Sequence, residues 1–314
     1  MGKTQYSIIV PLFNEELVIG ESYRRIKEVM DQTNESYEIV FINDGSRDQT
    51  ENIAKEICQK DKNIKLISFS RNFGHQPAIT AGMNEACGNA IIIIDADLQD
   101  PPAIMHNMIE KWKEGYDVVY GKRSKRAGET IFKRISAKIY YRLLSSITDV
   151  QIPVDVGDFR LIDRSVCDAL NRLPEKNRYV RGLVSWVGFK QTFVEFEREE
   201  RLLGETKYPL RKMIKLALDG ITSFSNKPLK LASTLGYAVS ALGFIYLIVI
   251  LFQRIFTDTT ITGWTSIIAL LLILNGVTLI MLGVLGEYIG RIYDEMKARP
   301  VYIIKEKIGF EDTK

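Results

Sequence analysis

Cysteine and histidine are scarce in this 314-residue chain, and neither is arranged for metal binding. Cys58, Cys87 and Cys167 stand far apart, which argues against a disulfide frame and suits reduced thiols. They also lack the clustered spacing or histidine partners of a zinc site. His75 and His106 are isolated, and each reads as a polar surface residue or a satisfied core residue. A secretory leader is missing as well: the apolar run Tyr6–Phe13 is too short for a signal core, and no small-residue cleavage site follows it. No Walker sequence and no G-x-G-x-x-G follows this first strand-like run, against an NTPase or a dinucleotide-dependent dehydrogenase. Charge is nearly balanced, with 42 Lys and Arg against 39 Asp and Glu, and no nucleic-acid partner is expected.

What the chain does have is two long stretches without charge. Residues 231–253, between Lys230 and Arg254, form the first, and residues 259–286, between Asp258 and Glu287, form the second. Each exceeds the roughly 20 apolar residues needed to cross a hydrocarbon core. The expected organisation is a soluble domain over 1–226, two transmembrane helices within 227–290 (about 231–253 and 264–287), and a tail over 291–314. Lys227 and Lys230 precede the first span, and Arg291, Lys297 and Arg299 follow the second. The loop 257–263 between the spans holds no basic residue. Both termini and the large domain are therefore expected in the cytoplasm, in a multi-pass protein of a bacterial-type plasma membrane. Gly236 with Ser240, and Gly286 with Gly290, recur four residues apart, spacing that suits a close hairpin or a homo-oligomer through the membrane helices.

Before the spans, short β-branched runs alternate with helical patterns. Residues 6–13, 37–42, 64–69, 90–94 and 117–121 read as strands, and 16–32, 48–60, 76–86 and 102–114 as helices. This is an α/β pattern of βαβ units, implying a mostly parallel, Rossmann-like sheet with helices on both faces. Ile91-Ile-Ile-Ile94 has no polar alternation and is expected to be a central strand buried on both sides. Farther on, 129–147 and 208–224 carry apolar residues at helical spacing with Lys and Arg on the remaining faces. Such helices pack on the domain or lie on an anionic lipid surface, and the neighbouring spans favour the surface. Eight basic residues from Lys122 to Arg142, against Glu129 alone, make that stretch a solvated face or an attractor of phosphates.

Ligands of open α/β sheets bind beyond the carboxyl ends of the strands. Four polar clusters fall there: Pro11-Leu-Phe-Asn14-Glu15-Glu16, Asn43-Asp44-Gly-Ser46 with Asp48, Arg71-Asn-Phe-Gly74, and Asp95-Ala96-Asp97-Leu-Gln99-Asp100. Singly, each is an ordinary turn or helix cap. Asp95-Ala-Asp97 stands out, because two carboxylates leaving a buried strand repel each other and raise one pKa. Mg2+ or Mn2+ on Asp95, Asp97 and possible third ligand Gln99 resolves that conflict and suits a substrate's phosphates. Asp44 is then placed for a ribose or base and Glu15 for the base, or each is merely a cap.

These motifs together resemble family 2, GT-A-fold glycosyltransferases, and within them the polyprenyl-phosphate enzymes such as bactoprenol glucosyltransferases and dolichyl-phosphate mannose synthase. Pro11–Glu16, Asn43–Ser46, Arg71–Gly74 and Asp95–Pro102 match the nucleotide-sugar half. Gly157–Leu161, Tyr179–Leu183 with Trp186–Gly188, and Arg201–Tyr208 match the acceptor half, and Gly283–Gly290 matches the hairpin. The resemblance implies transfer of glucose from a UDP-glucose donor to undecaprenyl (polyprenyl) phosphate with inversion, feeding a surface glycan. It implies donor contacts at Pro11, Asn14, Glu15, Asp44, Arg71, Asp95 and Ala96, and catalytic roles for Asp97 and Asp158. Asp158 is a base in many relatives acting on sugar hydroxyls; here it is a base or an orienter of Arg160 or the sugar. Arg123, Arg126, Arg198, Arg201 and Lys207 are candidates for the acceptor phosphate. Alternatives are another sugar (mannose or 4-amino-arabinose), a processive synthase, or a nucleotide-sugar sensor without activity. The processive reading is disfavoured by the two spans and by Asn177-Arg-Tyr-Val-Arg181 where a Gln-x-x-Arg-Trp motif is expected.

Overall fold

The computed structural model describes residues 4–123, 156–197, 225, 227–256 and 263–310. The expected amphipathic segments 129–147 and 208–224, together with Arg126, Arg198, Arg201 and Lys207, lie outside the described residues.

Strands β1 (Tyr6–Leu12), β2 (Tyr37–Asn43), β3 (Ile64–Phe69) and β4 (Ala90–Ile93) alternate with helices α1 (Ile19–Asp31), α2 (Thr50–Lys60), α3 (His75–Glu85) and α4 (Ile104–Lys113). Then follow β5 (Val118–Arg123), β6 (Val156–Asp163), the short helices α5 (Arg164–Asn171) and α6 (Val180–Trp186), and β7 (Gln191–Phe196). Two long helices, α7 (Lys227–Phe256) and α8 (Trp264–Met296), precede a last strand, β8 (Ile304–Ile308). The eight strands form one sheet in the order β7-β5-β6-β4-β1-β2-β3-β8. β1 runs parallel to β2 and β4, β2 to β3, and β5 to β7, whereas β6 and β8 are antiparallel to their neighbours.

The elements follow from side-chain spacing. α1 buries Ile19, Ser22, Ile26 and Met30, one stripe at helical spacing. α3 is rich in small residues because it lies close on the sheet. A Cβ at Gly82 would come within 2.4 Å of Ile9 Cγ2 and 3.0 Å of Ile42 Cδ1. β4 sits between β1 and β6 with all four residues fully buried, as its unbroken apolar run predicts. The sheet divides the core in two: α1, α2 and α4 cover one face, and α3, α5 and α6 cover the other.

Three strands go beyond the sequence expectation. β6 enters the sheet between β4 and β5, and β7 joins the far edge. β8 is drawn from the segment taken as a tail, and it pairs with β3. The first uncharged run and residues 264–286 of the second fall within long helices, and α7 and α8 each contain a segment apolar and long enough to cross a membrane, with none of it buried against protein. These helices touch where Gly236 meets Met281: a Cβ at Gly236 would lie 2.6 Å from Met281 Cε. A Cβ at Gly286 or Gly290 would meet nothing within 4 Å.

Candidate active site

Because β1 to β4 are parallel, their carboxyl ends open on one edge and carry the four polar clusters there. The loops are tied to one another mainly by side chains gripping backbone. The Asn14 amide donates to Ser46 Oγ (3.0 Å), and the Arg47 amide donates to Asn14 Oδ1 (2.9 Å). Glu15 donates its amide to Thr50 Oγ1 (2.8 Å), and the Gln49 amide donates to Glu16 Oε2 (2.8 Å). Asn14 holds this contact from the left-handed region, at φ 55°.

Asp44 is buried and receives three N–H groups: Phe73 N on Oδ1 (2.6 Å), and Asn72 Nδ2 (2.8 Å) and Gly74 N (2.9 Å) on Oδ2. Burial pushes its carboxyl above the ordinary value, against the pull of the Phe73 and Gly74 amides. The residue expected at a ribose or base thus anchors the Arg71–Gly74 loop. Gly45 (φ +64°) allows that loop to come close, since a Cβ there would stand 2.4 Å from the Arg71 carbonyl carbon. Between the loops lies a cleft of about 390 Å3, lined among others by Phe13, Arg47, Glu51, Arg71 and Asn72. Pro11 and Ala96 are buried in the floor of this edge. The Arg71 guanidinium lies 4.1 Å from the Phe73 ring centroid and donates to the Asn72 carbonyl.

The acidic cluster turns tightly after β4. Asp97 Oδ1 accepts the Gln99 amide (3.1 Å), and buried Leu98 adopts φ 56°, a conformation that costs a branched side chain of this size about 1–2 kcal/mol. A third of the Asp95 side chain is open, yet its Oδ1 is enclosed and accepts no hydrogen bond from the described residues. Its nearest cation is His75 Nε2, at 3.5 Å. Burial raises the Asp95 carboxyl, opposed by the charge on His75. Asp100 is buried against Arg123 Nη2, at 3.2 and 3.3 Å from its two oxygens.

The antiparallel register of β6 on β4 pairs Arg160 with Ile93, and two residues farther it brings Asp158 beside Asp95. Asp158 is buried among cations. Arg181 clamps it with Nε on Oδ1 (3.0 Å) and Nη2 on Oδ2 (2.8 Å). Arg160 Nη2 donates to Oδ1 (3.1 Å), and His75 Nε2 stands 3.3 Å from Oδ2. Burial works to raise this carboxyl, but Arg181 and His75 outweigh it and hold it well below the usual carboxylate range. The side chain is therefore anionic and already shared among three donors. The Asp158–Arg160 contact is the orienting arrangement offered by the sequence beside the base role.

His75 departs from its sequence reading. It is neither idle surface nor satisfied core, but links Asp95 to Asp158. Burial alone would lower its pKa; the Asp95 charge and the Asp158 hydrogen bond and charge lift it to about 9, so the ring is an imidazolium at neutral pH. Its position directly after Arg71-Asn-Phe-Gly74, at the start of a helix on the carboxyl edge, was the available signal. Arg181, which lies in the Tyr179–Leu183 motif, was likewise not singled out. No group of three or more His, Cys, Asp or Glu side chains forms a metal cluster among the described residues.

The profile described as Glycosyl transferase family 2 matches residues 7–170, and that of the GtrB C-terminal hairpin matches residues 227–292. An uncharacterized glycosyltransferase, YkcC, of Bacillus subtilis is 62% identical over 99% of this chain and 96% of its own length. The bactoprenol glucosyl transferase of Shigella phage SfII is 43% identical over 96% of this chain and 97% of its own. Among solved structures, glucosyl-3-phosphoglycerate synthase from Mycobacterium tuberculosis, in complex with Mn2+, UDP and glucosyl-3-phosphoglycerate, superposes with a TM-score of 0.51 at 19% identity. The superposition covers 70% of this chain and 78% of that one, a likeness of fold. The fold is GT-A, and the chain belongs to glycosyl transferase family 2, with the GtrB-type hairpin at its C-terminal end.

Proposed function

We propose that this protein transfers glucose from UDP-glucose to undecaprenyl phosphate, inverting the anomeric carbon, at the cytoplasmic face of the membrane that its hairpin spans. The observation that carries the reading is the enclosed Asp95 Oδ1, which accepts no hydrogen bond from the described residues at the end of a fully buried strand. The His75 ring, 3.5 Å away, forms a long ion pair rather than a hydrogen bond, and a buried carboxylate oxygen so weakly engaged suits a further cation. Asp95 fits such an ion, with Asp97 beside it and Gln99 as a further oxygen. The remaining positions of a Mg2+ or Mn2+ held there would go to substrate phosphates. Such a metal would offset the charge of the departing diphosphate.

The remaining roles belong to side chains of the chain. The cleft beside Phe13 and Arg71 takes the nucleoside of the donor, with Pro11, Asn14, Glu15, Asp44 and Ala96 shaping the edge along which the nucleotide lies. Asp44 acts there by holding the Arg71–Gly74 loop. The acceptor phosphate is already largely ionised near neutral pH, so its oxygen needs positioning more than deprotonation. For Asp158 we take the orienting role: a carboxylate held far below the usual range binds a proton too weakly to serve as an efficient base near neutral pH. It keeps Arg181, Arg160 and His75 aimed at the edge. Arg123 would meet the acceptor from the end of β5, with Asp100 fixing its guanidinium. Relatives named for bactoprenol glucosylation over nearly their full length support glucose and a polyprenyl phosphate.

The test is product identification. The purified protein is incubated with undecaprenyl phosphate and, in turn, UDP-glucose and GDP-mannose, alongside controls without the lipid phosphate, and the lipid fraction is analysed by mass spectrometry. A hexosyl undecaprenyl phosphate formed from UDP-glucose is expected. Preference for another donor would move the sugar assignment, and release of UDP without a lipid product would remove the acceptor.

A further inference from the structure

We infer that the strand following the membrane hairpin forms one wall of the donor cleft, where Lys305 donates to the nucleoside end of the bound nucleotide; this rests on the donor class proposed above.

The cleft is lined not only by the loops after β1, β2 and β3 but also by Lys305 of β8. What brings Lys305 there is an irregularity in pairing. β8 pairs Ile308 with Leu66, Lys307 with Ile67 and Glu306 with Ser68, but then Ile304 with Phe69, which leaves Lys305 as an extra residue. An extra residue of this kind bends a strand and re-aims a side chain. The packing records the shift. In an uninterrupted strand Ile304 and Ile308 would face the same side, because side chains alternate. Here Ile308 packs with the α1, α2 and α4 core and Ile304 with the α3 core across the sheet. Lys305 and Glu306 consequently both reach α2, toward Glu51 and Lys55, while Lys307 reaches Glu85 of α3.

The chemistry of the cleft suits such a contact. Arg47, Arg71, Asn72 and Lys305 bring N–H donors to it, and Glu51 is the carboxylate in its lining. Glu51 is already engaged by Lys55 (3.1 Å), Asn43 Nδ2 (3.3 Å) and Lys305 (3.4 Å). A base carbonyl or ribose hydroxyl entering this donor-rich space finds an ammonium with donors to spare. Lys305 is 58% exposed, and so loose an ion pair at the surface costs little to rearrange. The segment after Met296 is thereby a part of the nucleotide site, brought to it from the far side of two membrane helices.

The experiment uses the full-length protein in nanodiscs with Mg2+, titrated calorimetrically with UDP and with UMP. Lys305→Met is expected to weaken both about three- to tenfold, the range for one ordinary hydrogen bond lost at a solvent-exposed position. Lys305→Arg restores most of the affinity, and Lys307→Met, on the opposite face of the same strand, binds as wild type does. In turnover, Lys305→Met raises the donor KM and leaves kcat in place. Unchanged affinity in Lys305→Met, with thermal stability equal to wild type, overturns the inference and leaves the proposed function intact. A loss seen with UDP but not with UMP also overturns it, since the lysine then serves the diphosphate. Wild-type protein that binds neither nucleotide overturns the donor class itself, and the inference with it.

Discussion

Replacing Asp158 by Asn keeps the shape of the side chain and removes its charge, which separates a clamp from a base. Asp158 is buried and holds Arg181 through two hydrogen bonds, Arg160 through one and His75 at 3.3 Å. Arg160 is itself fully buried, and its Nη1 already has no hydrogen-bond acceptor among the described residues. Neutralising Asp158 would leave that guanidinium without its counter-charge, the situation in which breaking a buried ion pair costs about 3–5 kcal/mol. For a domain of this size the same loss lowers Tm by roughly 6–20 °C. The pH dependence has a definite sign. The folded carboxyl lies below its unfolded value, so its contribution is complete above the unfolded pKa and is lost as pH falls through the folded one. Wild type should therefore shed stability in acid more steeply than Asp158→Asn. Thermal unfolding of both proteins in detergent, from neutral pH down through the ordinary carboxylate value of about 3.9 to about pH 2, measures both effects. Adding Arg181→Gln to Asp158→Asn should cost less than the two single changes summed, because the second removes a cation the first has stranded. An Asp158→Asn protein that melts with wild type at every pH yet has lost turnover would refute the clamp and restore the base.

Three further outcomes are expected. Asp97→Ala should abolish transfer while leaving the thermal transition in place, and chelation of divalent cations should silence the wild type reversibly; an active Asp97→Ala moves the metal elsewhere. Gly45→Ala should weaken UDP binding more than tenfold in calorimetry, since the new Cβ collides with the Arg71–Asn72 backbone; φ +64° alone costs an alanine about 1 kcal/mol. Glu295→Ala should lower stability by about 1.5–3 kcal/mol by stranding the Lys176 and Asn177 amides that its carboxylate accepts, read as a Tm shift together with lowered kcat.

The first half of the fold is legible because each βαβ unit carries its own periodicity. Ile91–Ile94 can be nothing but a buried strand, and Ile19, Ile26 and Met30 mark one helical face. The same local logic locates the carboxyl-edge clusters and singles out Asp95. It does not reach what depends on pairing between distant segments. β6 looks like a motif in sequence; only its antiparallel register on β4 brings Asp158 opposite Asp95. His75 reads as isolated because both of its partners lie far along the chain. Asp44 reads as a ligand contact or a cap, and a one-dimensional reading cannot see that Asn72, Phe73 and Gly74 turn toward it. Ile304-Lys-Glu-Lys-Ile308 does show strand alternation, but a short exposed strand beyond a membrane hairpin has no local reason to join the sheet that precedes it.

That return has a geometric consequence for the membrane. β8 follows α8 and pairs with β3, so the chain leaving the second long helix comes back to the domain from which it entered the first. Along the way Tyr288 donates its hydroxyl to the Ser225 carbonyl (2.7 Å), and Glu295 receives the Lys176 amide (2.9 Å). α8 has 33 residues, hence a length of about 50 Å. A hydrocarbon core takes about 30 Å of an upright helix, which leaves about 20 Å to project beyond it. The projecting end carries Glu295, whose partners lie in the loop that leads into α6, and α6 carries Arg181, the clamp on Asp158. On the proposed reading, a helix anchored in the bilayer at one end and docked beside the carboxyl edge of the sheet at the other works as a spacer. It would set how far the proposed donor site stands from the plane in which a lipid phosphate is held, so that a long acceptor could stay in the membrane while its phosphate is presented to the sugar.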